Sequence, residues 1–403
     1  MTLVGSTEHP VETRTGRAMI PADIRADHLR IPAPHGGQRR LHHVWLRDNC
    51  GCAECRVPQS GERQLFTASI PDDVAPRHAH LDEAGALHVE WHDGHVSTWS
   101  PEWLDAHDYS APGRAPLRET PRLWDASDHT EVIPRMPWHE VRDDPSAELA
   151  FLDGYAAGGA AILTGVPSTD GTVAEVADRL GHLREVAFER IHNVRHDPTG
   201  YNVAHTTLDL KPHADLPSYH WPPSTQLLHF LVNRAQGGET VLVDGWRVLA
   251  DLRERDPEAF DLLTSVEVGW QLCSDTEDTF AVAPMVQLHP DGTVATFRFS
   301  NQLAQPISAD FDTVGAFYDA YRMLGRMVDD DRYHATFRCE DGDLVMVHGH
   351  RVLHGRRSFL AGSGDRHLQD VYMEHDDLMA RRRVLRGTHL PLPATPHTPA
   401  VSA

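Results

Sequence analysis

Residues 213–231, HADLPSYHWPPSTQLLHFL, place a histidine and an aspartate just before a proline-containing loop and an apolar run. The run that starts near Thr225 is short and rich in apolar residues, which is typical of a strand buried in a sheet. Metal-binding residue types that precede such a strand are expected at the mouth of a β-barrel or jelly roll. The segment therefore predicts a barrel-like fold with a ligand pair, His213 and Asp215, at one end.

These two residue types suit one class of iron site. Two neutral imidazoles and one carboxylate on one face of Fe(II) leave three adjacent positions for a bidentate 2-oxo acid and for O2. The His-x-Asp pattern alone is weak evidence, because the chain contains 29 histidines. The pattern recurs at three other places. His80/Asp82 lies in the first domain, His289/Asp291 lies beside a predicted hairpin turn, and His375/Asp377 begins a charged, helix-like segment. Those contexts favour surface positions for the three other pairs.

The third iron ligand should come from a later strand that returns past the first pair. Residues 343–359, DLVMVHGHRVLHGRRSF, supply His348, His350 and His354, and spacing does not separate them. The far carboxylate of 2-oxoglutarate would suit a bidentate arginine on the following strand. Arg366 stands in that position.

Strand-like segments dominate the chain after residue 160. Helices are predicted for 146–159 and 173–183 and near 247–263 and 310–328, and they interrupt a series of short apolar strands. Many antiparallel strands with long insertions are typical of a jelly roll that closes around a central site. The sequence thus predicts an α+β protein that is mainly β.

Composition along the chain predicts five segments. The polar N-terminus (1–18) and the proline-rich tail (388–403) fit disordered ends. Residues 19–110 show short strands and turns, with apolar and polar residues alternating around Asp93 and Gly94. Residues 111–137 are proline-rich and aperiodic, as expected of a linker, and 138–387 form the large domain.

Three of the five cysteines lie together in DNCGCAECR, at Cys50, Cys52 and Cys55. They are too close in sequence to be good disulfide partners for one another, and thiolates at this spacing suit tetrahedral zinc. His95, in the turn HDGHVSTW, is the candidate fourth ligand, although three incidental thiols stay an alternative. The other two cysteines, Cys273 and Cys339, are expected to be buried small hydrophobic residues.

Overall charge and hydropathy exclude some classes of partner. The formal net charge of -22 would repel a phosphate backbone, so nucleic acid is not an expected partner. We find no apolar run near the roughly 20 residues that a membrane-spanning helix requires. The N-terminus lacks the apolar core of a secretory signal, so a cytoplasmic location is expected.

Several segments together resemble the gamma-butyrobetaine hydroxylase family of the taurine-dioxygenase-like superfamily. They are WLRDNCGCAEC, DGHVSTW, HADLPSYHWPPSTQLLH, GGETVLVDG, VLHGRRSF and RHLQDVYMEHDDL. The resemblance implies a zinc-binding N-terminal domain with Cys50, Cys52, Cys55 and His95 as ligands, and a double-stranded β-helix catalytic domain. It also selects His354 as the third iron ligand, assigns Arg366 to 2-oxoglutarate, and implies a homodimer.

The same resemblance implies a dioxygenase that uses Fe(II), 2-oxoglutarate and O2 and releases succinate and CO2. A small-molecule substrate would be hydroxylated. The same chemistry with desaturation, cyclisation or rearrangement of another small metabolite is an alternative, and a non-catalytic binding module is a third hypothesis.

The expected substrate pocket departs from the family pattern. The family holds a trimethylammonium group in an aromatic cage, and the matching positions here are Phe188, His192, His205 and Tyr372. Only Tyr372 keeps a tyrosine, and histidine is a poorer cation–π partner. The anionic end of the substrate is expected near Asn202, Arg298 and Asn301, with Arg190 and Lys211 close by in sequence. A betaine such as gamma-butyrobetaine, or a phosphonate analogue such as trimethylaminoethylphosphonate, is the predicted substrate.

Overall fold

The computed structural model describes residues 19–33, 36–114, 119–187, 189–195, 206–274 and 276–387. The predicted disordered ends lie outside these residues. The chain divides into two compact units between Glu119 and Thr120. Within the described ranges, no helix has the length and apolar character needed to cross a membrane.

The first unit contains two small antiparallel sheets, ordered β1-β5-β6-β7 and β2-β3-β4. The strands are β1 (Ile20–Pro21), β2 (Asp23–Ile24), β3 (His28–Pro32), β4 (Gln38–His42), β5 (Pro76–Leu81), β6 (Leu87–Trp91) and β7 (Val96–Trp99). The helices are α1 (His43–Asp48), α2 (Pro101–Ala106) and α3 (Ala111–Arg114). Alternate residues of β6 are buried, because one face of the sheet packs on a core that contains Trp91, Trp99 and Trp103.

The second unit is built mainly from strands. They are β8 (Arg135–Pro137), β9 (Ala160–Thr164), β10 (Leu183–Arg184), β11 (His192–Arg195), β12 (Leu210–His213), β13 (Thr225–Asn233), β14 (Thr240–Asp244), β15 (Glu267–Cys273), β16 (Asp278–Pro284), β17 (Val286–Leu288), β18 (Val294–Phe297), β19 (His334–Phe337), β20 (Leu344–His348), β21 (Val352–Arg356) and β22 (Arg366–Met373). The helices are α4 (His129–Val132), α5 (Trp138–Asp143), α6 (Pro145–Gly158), α7 (Thr172–Leu180), α8 (Gly245–Arg255), α9 (Pro257–Ser265), α10 (Phe311–Val328) and α11 (His375–Arg386).

Two sheets share a core in this unit. The larger follows the order β10-β22-β13-β20-β9-β8, with β11 also paired to β22, and the smaller follows β12-β21-β14-β19. Apolar side chains from both sheets, including Leu242, Val347 and Leu368, form one buried cluster. Apart from the parallel pairing of β8 with β9, both sheets are antiparallel, and two such sheets that share one core are consistent with the predicted jelly roll.

Most of the predicted elements are present. The two long helical insertions near 247–263 and 310–328 are α8, α9 and α10. His289 and Asp291 stand in the turn between β17 and β18, and His375 is the first residue of α11, as their contexts predicted.

The predicted linker is only partly correct. Residues 120–137 belong to the second unit, where Trp124, Val132 and Ile133 are buried in the core between the sheets. The indole Nε1 of Trp124 donates to the carbonyl of Gly158 at 2.7 Å. Prolines interrupt the hydrophobic periodicity by which a packed segment is recognised in a sequence. The isolated apolar residues of this segment nevertheless pack into the core of the second unit.

A buried ion pair fixes the start of β21. The Arg351 guanidinium, 2% exposed, donates to both carboxylate oxygens of Asp244 at 3.0 and 2.8 Å, and also to the carbonyls of Ala157 and Arg122. Asp244 ends β14 and caps α8. The pair therefore ties β14, β21 and α8 together at one point.

Arg351→Leu is expected to lower the free energy of unfolding by about 3–5 kcal/mol, because it leaves the Asp244 charge buried without its partner. Chemical denaturation followed by circular dichroism measures the change. Arg322→Leu, which removes an exposed ion pair with Asp319 on α10, should cost less than about 1 kcal/mol. Equal losses in the two variants would contradict a structural role for the buried pair.

Candidate metal centre and its cavity

The structure brings together the three residues predicted as iron ligands. His213 lies opposite His354 in the antiparallel pairing of β12 with β21, and Asp215 follows two residues after β12 ends. The Nε2 atom of His213 is 3.2 Å from Oδ1 of Asp215, and Nε2 of His354 is 3.7 Å from Oδ2. Neighbouring ligands at right angles on a metal with bonds of about 2.1 Å lie about 3 Å apart. The donor set therefore fits one divalent cation.

A glycine allows the two strands to approach each other. A Cβ atom at Gly355 would lie 2.6 Å from the carbonyl oxygen of Leu210 and 2.9 Å from the nitrogen of Pro212. Both contacts are too short for any side chain, so β12 can reach its place beside β21 only with glycine at this position.

The two other candidates for the third ligand lie elsewhere. His350 donates through Nε2 to the carbonyl of Pro222 at 2.9 Å. The His348 ring packs against the ring of His375 at 4.4 Å between centroids. Among the described residues, His354 is the one of the three histidines that joins Asp215 in a metal-sized cluster.

Hydrogen bonds orient two of the three candidate ligands. Oδ2 of Asp215 accepts from the hydroxyl of Tyr372 and from the amide Nε2 of Gln226, each at 2.8 Å. His213 donates through Nδ1 to the carbonyl of Lys211 at 2.9 Å, which leaves the Nε2 lone pair for the cluster. Partners of this kind fix the tautomer and the angle of a metal ligand.

The charges in the cluster stabilise an ionised carboxylate. Burial alone would raise the pKa of Asp215, but the nearby charges of His354 and His213, with hydrogen bonds from His213 and Tyr372, hold it below its ordinary value. Burial lowers the pKa of His354 to about 4. Burial also opposes protonation of His213, but Asp215 outweighs it and raises the His213 pKa. An ionised Asp215 and a neutral His354 are the charge states that a divalent cation needs.

The cluster opens into a cavity of about 460 Å³. Alternate residues of β22 line this cavity, because side chains i and i+2 of a strand share a face. These residues are Arg366, Leu368, Asp370 and Tyr372.

One end of the cavity is cationic. Within the described part of the chain, Nε of Arg366 and Nη1 of Arg356 are buried without a hydrogen-bond partner. Burial, together with the charges of Arg356 and Arg338, lowers the pKa of Arg366 to about 9. Arg356 is a site residue that the sequence does not single out, although it stands two residues after His354 and therefore shares its face of β21. Two desolvated guanidinium groups form a site for an anion.

The predicted substrate residues are only partly brought together. His192 and Tyr372 line the cavity. Phe188, Asn202 and His205 lie outside the described residues.

Arg298 and Asn301 are not among the residues that line the cavity, whereas their neighbours Ser300 and Gln302 are. The Arg298 guanidinium is buried and donates to the side chain of Gln287 at 2.9 Å and to the carbonyl of His220 at 2.8 Å. Asn301 accepts from the hydroxyl of Tyr321.

Asp370 was missed by sequence reasoning. Its Oδ1 atom is 2.9 Å from Nδ1 of His192, and its Oδ2 atom accepts from Nε2 of Gln226 at 3.1 Å. Burial opposes protonation of His192, but the hydrogen bond and the charge of Asp370 outweigh it and raise the His192 pKa. The signal in the sequence was its position on β22, because every second residue from Arg366 to Tyr372 faces the same side of the strand and Asp370 is one of them.

The first unit also contains a cluster of candidate ligands. Nε2 of His95 lies 3.3, 3.5 and 3.7 Å from the sulfurs of Cys50, Cys52 and Cys55. Zinc bonds of about 2.3 Å to sulfur and 2.0 Å to nitrogen, at tetrahedral angles, put these atoms about 3.5 Å apart. Of the remaining cysteines, Cys339 is buried as expected, but Cys273 is exposed at the end of β15 and lines the cavity.

Comparisons with known proteins cover most of the chain. The model of the TauD, TfdA family of taurine catabolism dioxygenases matches residues 115–372, and the gamma-butyrobetaine hydroxylase-like N-terminal model matches 22–105. Gamma-butyrobetaine dioxygenase of Pseudomonas sp. (strain AK-1) is 34% identical over 349 residues, which cover 86% of this chain and 90% of the relative. The human enzyme of that name is 28% identical over 353 residues, covering 85% and 90%. Mitochondrial trimethyllysine dioxygenase of Bos taurus is 28% identical over 354 residues, covering 86% and 83%.

His213→Ala is expected to abolish stoichiometric binding of Mn(II), used as a stable divalent probe, because it removes one of three donors. The affinity of the wild type for Mn(II) should rise as the pH rises through the pKa of His213, which is above its ordinary value, because a protonated His213 must lose its proton before it binds the metal. Calorimetric titration measures both effects. His289→Ala, in a His-x-Asp pair at a turn, should bind like the wild type, and full affinity in His213→Ala would exclude the proposed cluster.

Proposed function

The chain belongs to the TauD, TfdA family of dioxygenases, and on that premise we propose that it hydroxylates a small zwitterion with a quaternary amine head, using Fe(II), 2-oxoglutarate and O2. The observation that carries the proposal is one cavity that is lined both by the His213, Asp215 and His354 cluster and by Arg366, whose buried Nε has no hydrogen-bond partner among the described residues. The first group suits the metal, and the second suits a dicarboxylate that also reaches the metal.

The donor set fits iron. Two histidines and one carboxylate on one face leave the opposite coordination positions to small ligands. When bound, iron and 2-oxoglutarate supply the oxidising chemistry, in which O2 is consumed and succinate and CO2 are released. Tyr372 and Gln226 keep Oδ2 of Asp215 engaged, so that its other oxygen faces His213.

Arg366 would hold the far carboxylate of 2-oxoglutarate. Its guanidinium carbon lies 5.7 and 5.8 Å from the ring centroids of Phe230 and Phe359, and its Nε atom is buried away from water. A charge-assisted pair gains strength in such an environment. Leu210, Leu228 and Leu303 line the cavity and limit the access of water to it.

The amine head is supported by the relatives, which are named for gamma-butyrobetaine and trimethyllysine. From the sequence, a basic group that includes Arg298, Arg190 and Lys211 is expected to suit either a phosphonate or a carboxylate. Arg298 is not at the cavity, and Lys211 forms an ion pair with Asp329 at 2.7 Å, so these residues do not favour a phosphonate. A betaine carboxylate, as in the gamma-butyrobetaine that the relatives are named for, is the proposed anionic end.

The cluster in the first unit is proposed to bind structural zinc through Cys50, Cys52, Cys55 and His95. Four protein ligands leave no open coordination position, which is typical of structural and not catalytic zinc. The homodimer and the cytoplasmic location stay predictions.

The function is tested with the wild-type chain, Fe(II), 2-oxoglutarate and gamma-butyrobetaine. Succinate release should depend on the amine, and mass spectrometry should show a product with one added oxygen atom. Arg366→Met should raise the KM for 2-oxoglutarate at least about thirtyfold, because a buried charge pair is lost.

Arg357→Met is the matched control for Arg366→Met. Arg357 forms an ion pair with the exposed Asp331, outside the cavity, so its loss should leave this KM unchanged. The proposal fails if no betaine stimulates succinate release, or if both variants keep the wild-type KM.

Metal analysis of the purified chain should find one zinc in addition to iron, and Cys52→Ser should lower both the zinc content and the melting temperature. Cys273→Ser removes an exposed thiol in the other unit and should keep the zinc. Retention of zinc after replacement of both Cys50 and Cys52 would exclude this site.

A further inference from the structure

Asp370 is a buried carboxylate that the proposed reaction does not use. Its side chain is 2% exposed, yet it lines the same cavity as the metal cluster. It belongs to β22, which pairs with β13 on one side and with β11 on the other, so its backbone is held on both edges. A residue in this position faces bound ligands with little freedom to move.

A carboxylate buried for structural reasons normally has an arginine or lysine partner, because an uncompensated buried charge is costly. Among the described residues, the only basic side chain within 4.0 Å of Asp370 is His192. A histidine compensates the carboxylate only while it carries a proton, whereas an arginine would do so permanently. The negative charge of Asp370 is thus available to a cation that can replace the imidazole proton.

Aromatic surface is scarce around this carboxylate. Of the described phenylalanine, tyrosine and tryptophan residues, only Phe230 and Tyr372 line the cavity, and the Phe230 ring packs against the Arg366 guanidinium. Tyr372 donates its hydroxyl to Asp215 at 2.8 Å. Among the residues that the structure describes, the cation–π surface that would favour a fully methylated ammonium is therefore small in this part of the cavity.

We propose that Asp370 is a specificity-determining residue whose carboxylate binds the cationic head of the substrate and selects for its charge, not for its methyl groups. The inference rests on the proposed function, since it assumes an amine substrate in this cavity. A carboxylate attracts any ammonium group and forms additional hydrogen bonds to those that keep an N–H. Heads with fewer than three methyl groups should therefore be accepted.

The charge balance is simple. With no substrate, a proton on His192 balances Asp370, and the arriving ammonium group supplies the same charge. His192 then returns to the neutral ring and still donates Nδ1–H to Oδ1 of Asp370. The proton that leaves is the one on Nε2 of His192, it goes to solvent, and no other bond is broken.

The probes are 4-aminobutyrate and its N-methyl, N,N-dimethyl and N,N,N-trimethyl derivatives. Each is titrated calorimetrically at pH 8.5 into the full chain loaded with Mn(II) and 2-oxoglutarate, and each is also assayed with Fe(II) for succinate release. In the wild type, the dimethyl and trimethyl amines should bind within about tenfold of each other. For every cation that the wild type binds, Asp370→Asn should lower the affinity by a factor of at least about ten. Asp370→Glu should recover part of this loss.

Asp365→Asn is the matched control, because it removes one negative charge from an exposed position just before β22. It should bind all four amines like the wild type. In turnover, Asp370→Asn should raise the KM for the amine more than it lowers kcat, which a purely structural defect would not do.

The outcomes separate the two proposals. Amine binding that is lost in Asp370→Asn supports the role of Asp370 even if no product forms, whereas the absence of turnover counts against the proposed hydroxylation. Unchanged binding in Asp370→Asn, a strict requirement for three methyl groups, or no binding of any probe by the wild type would overturn the inference about Asp370.

Discussion

The antiparallel pairing of His213 with His354 is the contact on which the site depends. Neither strand carries the cluster alone, because β12 supplies one histidine and leads into Asp215, while β21 supplies the other histidine. β21 is in turn paired with β14, and the buried Arg351 to Asp244 ion pair fixes its first residues. The absence of a side chain at Gly355 permits β12 to approach β21 at this point. The rest of the second unit serves to hold this register.

The sequence could single out candidate site residues where similar motifs stand in different local contexts. His213 and Asp215 could be chosen among four similar pairs because the other three stand at a turn, in the first unit or at a helix start, and the structure places those pairs accordingly. His348, His350 and His354 could not be separated by spacing, since the turn between β20 and β21 decides which of them returns to the cluster. Family resemblance selects His354, and among the described residues His354 is the one of the three that lies in a cluster with His213 and Asp215.

Long-range packing explains the misses. Trp124 was assigned to a linker because its partners, such as Gly158, are distant in sequence. Arg298 was expected at the substrate, but the carbonyl of His220 and the amide of Gln287 bind its guanidinium instead. Cys273 was expected in the core, yet it ends a strand and is exposed. For Trp124 and Arg298, the decisive neighbour is brought close only by folding.

Successive side chains of β22 face alternately the cavity and the core, so substitutions on its two faces have different consequences. Arg366, Leu368, Asp370 and Tyr372 face the cavity, whereas Val371 and Met373 belong to the core on the opposite face, with α7 and α11. At about 3.3 Å per residue, Arg366 and Asp370 stand roughly 13 Å apart, one at the proposed co-substrate position and one at the proposed amine position. A substitution at Asp370 can therefore change the cavity while it leaves in place the Tyr372 hydrogen bond to Asp215, the Arg366 guanidinium and the core side chains of Val371 and Met373. Such a strand is a place where new substrate preferences can evolve at little risk to folding.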